Sequence, residues 1–322
     1  MVIRQPEQRL TAGMQMLLQR IQRVKRAPFY EMTPQAARDF YTSAAEILDL
    51  PRASLAQVHD FLIPAPDGYA IPARLYAAHT STGALKPVLV YFHGGGFVMG
   101  GLETHDSLCR QLALQSGGAV VAVDYRLAPE YRFPCAVNDA QSAWKWVHQR
   151  GHTLGLDAQR MAIGGDSAGG TLAAVSAIQA RDQGVPIAMQ LLITPGTAAF
   201  AQTASRQTYA SGFMLDSATL EWFFRHYIDD EARTDWRFAP SYADNLEGVA
   251  PAYFLLAECD PLVDEGIAYA DQLRMAGVSV DIDITPGVVH DFIKMGKALP
   301  EARQAQSLCA GALRKAWGLP EA

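Results

Sequence analysis

Gly165-Asp166-Ser167-Ala168-Gly169 follows a short apolar run, Met161 to Ile163, and opens an apolar stretch, Ala168 to Ala180, with helical character. A serine on a sharp strand-to-helix turn is held in a strained backbone conformation. The flanking glycines remove side-chain clashes, and the helix N-terminus turns positive dipole toward any negative charge that develops beside the hydroxyl. Five residues alone can match by chance, so the reading rests on what surrounds them.

Outward from this turn the chain alternates strand and helix patterns. Val88 to Phe92, Ala119 to Val123, Met161 to Ile163, Met189 to Ile193, Tyr253 to Leu256 and Val280 to Ile284 read as strands, most of them continuously apolar, as strands covered on both faces are. Helical patterns lie between them at Asp106 to Gln115, Asp139 to His148 and Ala168 to Ala180. That alternation implies right-handed crossovers and a mainly parallel sheet, so the fold class is α/β. Two earlier runs, Val58 to Ile63 and Ala70 to Ala77, alternate as half-exposed antiparallel strands do. Before any strand come two amphipathic helices. Leu10, Met14, Leu17, Leu18, Ile21 and Val24 form the stripe of the first; Thr33 and Pro34 open the second, whose stripe is Phe40, Tyr41, Ala44, Ile47 and Leu48. Residues 196–240 break the rhythm with an aromatic helix around Trp222, Phe223, Phe224 and Tyr227, which reads as an insertion whose aromatics cover a pocket.

His93-Gly94-Gly95-Gly96 directly follows the strand Val88 to Phe92. Glycines there let backbone N–H groups approach a substrate carbonyl oxygen, and Gly95, Gly96 and Ala168 are the expected oxyanion donors. His93 and Gly94 are expected to fix the loop. A serine hydroxyl needs a base, and the base needs a carboxylate to orient it. In the order Ser, acid, His, only His226 and His290 follow Ser167 among the eight histidines. His226 lies in the aromatic helix, whereas His290 follows the last strand, so His290 is the expected base. Asp260, just past the strand Tyr253 to Leu256, is the expected acid, with Glu258 as its nearest rival. Asp264 and Glu265 are expected to serve the dipole of the next helix. Asp166 should point away from the nucleophile, and Thr104-His105-Asp106 should cap a helix.

The chain has 322 residues with a net charge of −6, which argues against nucleic acid as its main partner. No stretch approaches the ~18 uncharged apolar residues of a membrane span. The N-terminus has no secretory pattern, so the expected location is cytoplasmic. Cys109, Cys135, Cys259 and Cys309 show no paired spacing and read as free thiols. Nothing calls for a metal or organic cofactor.

With these motifs in order, the chain resembles the hormone-sensitive-lipase-like family of microbial carboxylesterases, within the α/β-hydrolase superfamily. The likeness runs over residues 85 to 295 and includes Asp124-Tyr125-Arg126-Leu127-Ala128-Pro129-Glu130 and the segment Asp260-Pro261-Leu262. The resemblance implies an α/β-hydrolase fold with a mostly parallel eight-stranded sheet and a helical cap. Its parts are N-terminal cap helices 1–50, core 51–195, cap insertion 196–240 and core 241–322. It implies a serine esterase acting on short-chain esters through Ser167, Asp260 and His290. An amidase, lactonase or deacetylase would use the same residues, and a catalytically silent receptor is the rival from another class. Val263 and Asp291 depart from the family pattern, which often carries glycine after the histidine. Arg126 and Glu130 are expected to make buried polar contacts beneath the glycine loop. The alternating last strand, Val280 to Ile284, suggests a homodimer across its edge.

Overall fold

The computed structural model of the chain describes residues 6–24, 26–80 and 83–320. The outermost residues of the expected first and last segments, 1–5 and 321–322, lie outside the described residues. Thr11 and Thr33 open helices α1 (Ala12–Arg23) and α2 (Pro34–Leu48), each side-chain oxygen accepting from the N–H three residues on, of Met14 and Ala36. Met14, Leu17 and Leu18 are buried as the stripe predicts. Its far end does not hold: Val24 is 67% exposed at the end of α1, and Ile47 is 63% exposed in the last turn of α2.

Eight strands follow: β1 (Gln57–Pro64), β2 (Ala70–Ala77), β3 (Lys86–Phe92), β4 (Ala119–Val123), β5 (Leu156–Asp166), β6 (Gln190–Ile193), β7 (Ala252–Ala257) and β8 (Val280–Thr285). They form one sheet in the order β1-β2-β4-β3-β5-β6-β7-β8. β2 is antiparallel to both neighbours, and the other pairings are parallel. The α/β expectation is met. β5 begins five residues earlier than the apolar run suggests. Its pairing with β3 jumps from Pro87 with Asp157 to Val88 with Met161, because Asp157 accepts from the Gln159 N–H and the Arg160 guanidinium and pinches the chain into a bulge.

Alternate residues of the central strands serve two cores. Val88, Val90 and Phe92 pack with Trp144 of α4 (Cys135–Arg150), Leu172 of α5 (Ala168–Asp182) and Tyr269 of α8 (Val263–Met275). Leu89 and Tyr91 face the other way, toward Leu108 and Leu112 of α3 (Leu102–Ser116) and Leu313 of α9 (Pro300–Ala316). Each such side chain contributes roughly 1.5–3 kcal/mol of burial, so the strand ends are anchored from both faces. Between β6 and β7 lie α6 (Ala204–Thr208) and α7 (Ser217–Tyr227). Among the described residues no helix is long and apolar enough to cross a membrane. All four cysteines are free.

Candidate active site

The parallel strands end on one rim of the sheet, where loops from several strands meet. Ser167 follows β5 with φ 54° and ψ −120°, a conformation that costs about 1–3 kcal/mol and persists because its surroundings fix it. Its N–H donates to Ile193 O at 2.8 Å. The turn also brings α5 against β3: a Cβ on Gly169 would lie 1.9 Å from Phe92 O, so only glycine fits.

Asp260, three residues past β7, and His290, five past β8, converge on this serine. His290 Nε2 is 2.9 Å from Ser167 Oγ, and His290 Nδ1 is 2.7 Å from Asp260 Oδ2. The other oxygen of Asp260 accepts the Leu262 N–H at 2.8 Å, which sets the carboxylate plane. Burial opposes a charge on His290, yet the carboxylates of Asp260, Asp291 and Asp166 outweigh it and push the imidazole up to about 9. A neutral ring here donates from Nδ1 to Asp260 and leaves Nε2 to accept the serine proton.

The backbone N–H groups of Gly95, Gly96 and Ala168 have no acceptor among the described residues, and Gly96 and Ala168 line one pocket with Ser167. Three unfilled donors near a serine hydroxyl can hold an oxyanion. Gly96 has φ 62°, and a Cβ on it would lie 2.2 Å from the Phe223 ring, so the loop can pass beneath α7 only as glycine. Gly94 has a different task, its N–H donating to Asp166 Oδ1 at 3.1 Å. Asp166 also accepts from Tyr91 Oη at 2.6 Å and lies 3.1 Å from His105 Nε2. It therefore points away from the serine into the base of the glycine loop. Burial works against its charge, and His105, Lys294 and Tyr91 overcome that, holding Asp166 well below the usual carboxylate range. His93 stacks on Tyr125 with ring centroids 4.2 Å apart and donates from Nδ1 to Gly94 O at 2.8 Å.

The remaining expectations sort clearly. Thr104 caps α3 by accepting the Gly101 N–H at 3.0 Å, while His105 and Asp106 are buried members of polar networks. Glu258 accepts the Gly287 N–H at 2.8 Å and braces the loop that leads to His290, leaving the imidazole to Asp260. His226 lies 2.8 Å from Trp222 O through Nδ1. Arg126 does pair with a buried acid, Asp139, at 2.6 Å. Glu130 corrects the expectation: its side chain is 54% exposed and pairs with Arg38 of α2, because the helix, and not the loop interior, supplies its cation.

Several residues near the site carry no motif. Arg38 donates to Val98 O at 2.8 Å and Ala128 O at 2.7 Å, behind the glycine loop. Tyr41, also on α2, hydrogen-bonds Asp291 Oδ2 at 3.2 Å and the Lys294 amine, and Lys294 pairs with Asp291 at 3.4 Å. Asp291 has φ 64°, so this departure from glycine places a carboxylate beside His290 in a left-handed conformation. Glu265 does lie in the first turn of α8, but it is buried and bound to Arg206.

A family model described as the alpha/beta hydrolase fold matches residues 89–294, from β3 to just beyond His290. The chain belongs to this family. As an α/β hydrolase it is 43% identical to the ethyl acetate hydrolase of Pseudomonas putida over 87% of this chain and 89% of that protein. It is 42% identical to the esterase LipI of Mycobacterium tuberculosis, over 83% of this chain and 85% of the relative. Among solved structures, an ester hydrolase from the metagenome of Lake Arreo, in complex with a bipyridine phosphonate derivative, superposes with a TM-score of 0.92. It is 36% identical, covering 96% of this chain and 99% of that one.

Proposed function

We propose that this α/β hydrolase is a serine carboxylesterase for short-chain esters. The observation that carries the reading is the unbroken hydrogen-bonded line Ser167, His290, Asp260, with three unfilled backbone donors in the serine turn and the glycine loop. In this mechanism His290 Nε2 takes the Ser167 proton as Oγ attacks the ester carbonyl. The N–H groups of Gly95, Gly96 and Ala168 receive the oxyanion, and Asp260 stabilises the protonated imidazole. His290 then hands its proton to the leaving alcohol, and water repeats the sequence on the acyl-enzyme.

The pocket at Ser167 is lined by Leu220, Phe224, Phe238 and Leu262, and its cavity volume is about 40 Å³. That scale, and the likeness to an ethyl acetate hydrolase, support short arms. Residues 1–50 and 196–240 form the cap in this reading, and 51–195 and 241–322 the core. The edge of β8, with Ile284 44% exposed, is assigned to a homodimer; sedimentation as a monomer at micromolar concentration removes that assignment.

Initial rates on p-nitrophenyl esters of two to sixteen acyl carbons test the proposal. Turnover should peak at short chains and vanish in Ser167→Ala. A folded wild-type protein inert toward every ester overturns it.

A further inference from the structure

The pocket beside Ser167 is walled mainly by apolar side chains; Thr171 spends its hydroxyl on Gly196 O at 2.6 Å, and the charged groups of the wall are Arg206 and Glu265, which meet there. Arg206 Nε and Nη2 donate to Glu265 Oε2 at 3.1 and 2.8 Å. Glu265 Oε1 accepts the N–H groups of Thr197 at 2.8 Å and Ala198 at 3.3 Å. The carboxylate is thus surrounded by donors and is 2% exposed. The guanidinium is not exhausted. Nη1 has no acceptor among the described residues and is not sealed from solvent, and Arg206 lines the same pocket as Ser167 and Ala168. Tying α6 to α8 and to the 197–198 turn uses only Nε and Nη2, so the structural task leaves the open donors unexplained.

We propose that Arg206, held by Glu265, is a specificity subsite that selects esters whose arm carries an uncharged hydrogen-bond acceptor, a ketone or ether oxygen, over alkyl arms of equal size. A charged donor in an apolar wall rewards an acceptor strongly, and a site with unfilled donors penalises the ligand that lacks one. A carboxylate arm is a poorer match, because Glu265 already neutralises the cation and would repel a second anion beside it. The inference rests on the esterase reading and deepens it.

The test compares kcat/KM within two isosteric pairs, so that either arm of the ester is sampled. One pair is p-nitrophenyl 4-oxopentanoate against 4-methylpentanoate; the other is 2-ethoxyethyl acetate against pentyl acetate. The ratio of oxygen-bearing to alkyl ester should be about tenfold higher in the wild type than in Arg206→Met/Glu265→Gln for at least one pair. The Glu265→Gln change keeps an acceptor for the Thr197 and Ala198 N–H groups. Arg206→Gln serves as the second comparison if the double variant fails to fold. Equal ratios in wild type and variant overturn this inference alone, provided the wild type hydrolyses the alkyl esters. Wild-type protein inert toward all four esters removes the esterase reading and this one with it.

Discussion

His93 and His290 are enclosed to nearly the same degree, 3% and 5% exposed, in loops that leave the same rim of the sheet. Their chemistry diverges. Burial, reinforced by His105, pushes His93 down to about 3, and its nearest acid, Asp124, stands 3.9 Å away. Burial lowers His290 too, but Asp260 at 2.7 Å, with Asp291 and Asp166, reverses the sign and carries it to about 9. His93 donates to a carbonyl and its Nε2 is sealed without a partner among the described residues; His290 donates to a carboxylate and aims Nε2 at a serine. Seclusion alone disfavours the charged imidazole, whereas a contacting carboxylate favours it.

The comparison breaks most decisively at Asp260. Asp260→Asn should lower kcat by about 10⁴-fold, through loss of both the correct tautomer and the stabilised imidazolium, read as single-turnover rates with unchanged circular dichroism. An Asp260→Asn variant within tenfold of wild type would mean that the carboxylate does not distinguish the two rings. Gly96→Ala should cost about 10²–10³ in kcat by displacing one oxyanion donor against Phe223, measured on the same ester.

The pH dependence sharpens the contrast. Since the base must be neutral, kcat/KM should climb about tenfold per pH unit and level near pH 9, the value to which His290 is raised. Because the folded value is raised, its contribution to stability is fully present below the ordinary histidine value and is lost as pH rises through about 9; melting temperatures across pH 6–10 should show that decline. Asp291→Asn, which tolerates the left-handed backbone, should move the kinetic midpoint down by about one unit. His93→Phe keeps the stack on Tyr125 but loses the bond to Gly94 O. It should lower kcat/KM by about tenfold or less and leave the midpoint where it was. A midpoint that moved would make His93 a titrating partner after all.

The strand order, the serine turn, the glycine loop and the positions of Asp260 and His290 were legible because each sits in a short segment at a strand end, and chain order restricts the partners. Side chains that meet from distant segments left no such trace. Tyr41 occupies an apolar-stripe position of α2, and nothing near it signals a bond to Asp291, 250 residues on. Glu265 has the look of a dipole-serving acid, since its partner Arg206 belongs to another element. Periodicity also predicts which face of a helix turns inward without telling where burial stops, hence the exposed Val24 and Ile47. The apolar signal of β5 starts late, at Met161, because a local turn at Asp157 replaces side-chain packing at the start of the strand.

Arg38 and Tyr41 lie three residues apart and so share one face of α2. Arg38 grips the carbonyl of Val98, in the loop that supplies two of the unfilled donors, and Tyr41 grips Asp291 beside His290. A single helix is thus a strut from the glycine loop to the loop that carries His290. Undocking that strut would release both ends together, so it should act as a fuse: in a denaturant titration, turnover is expected to go out at a lower concentration than the far-ultraviolet circular dichroism of the sheet.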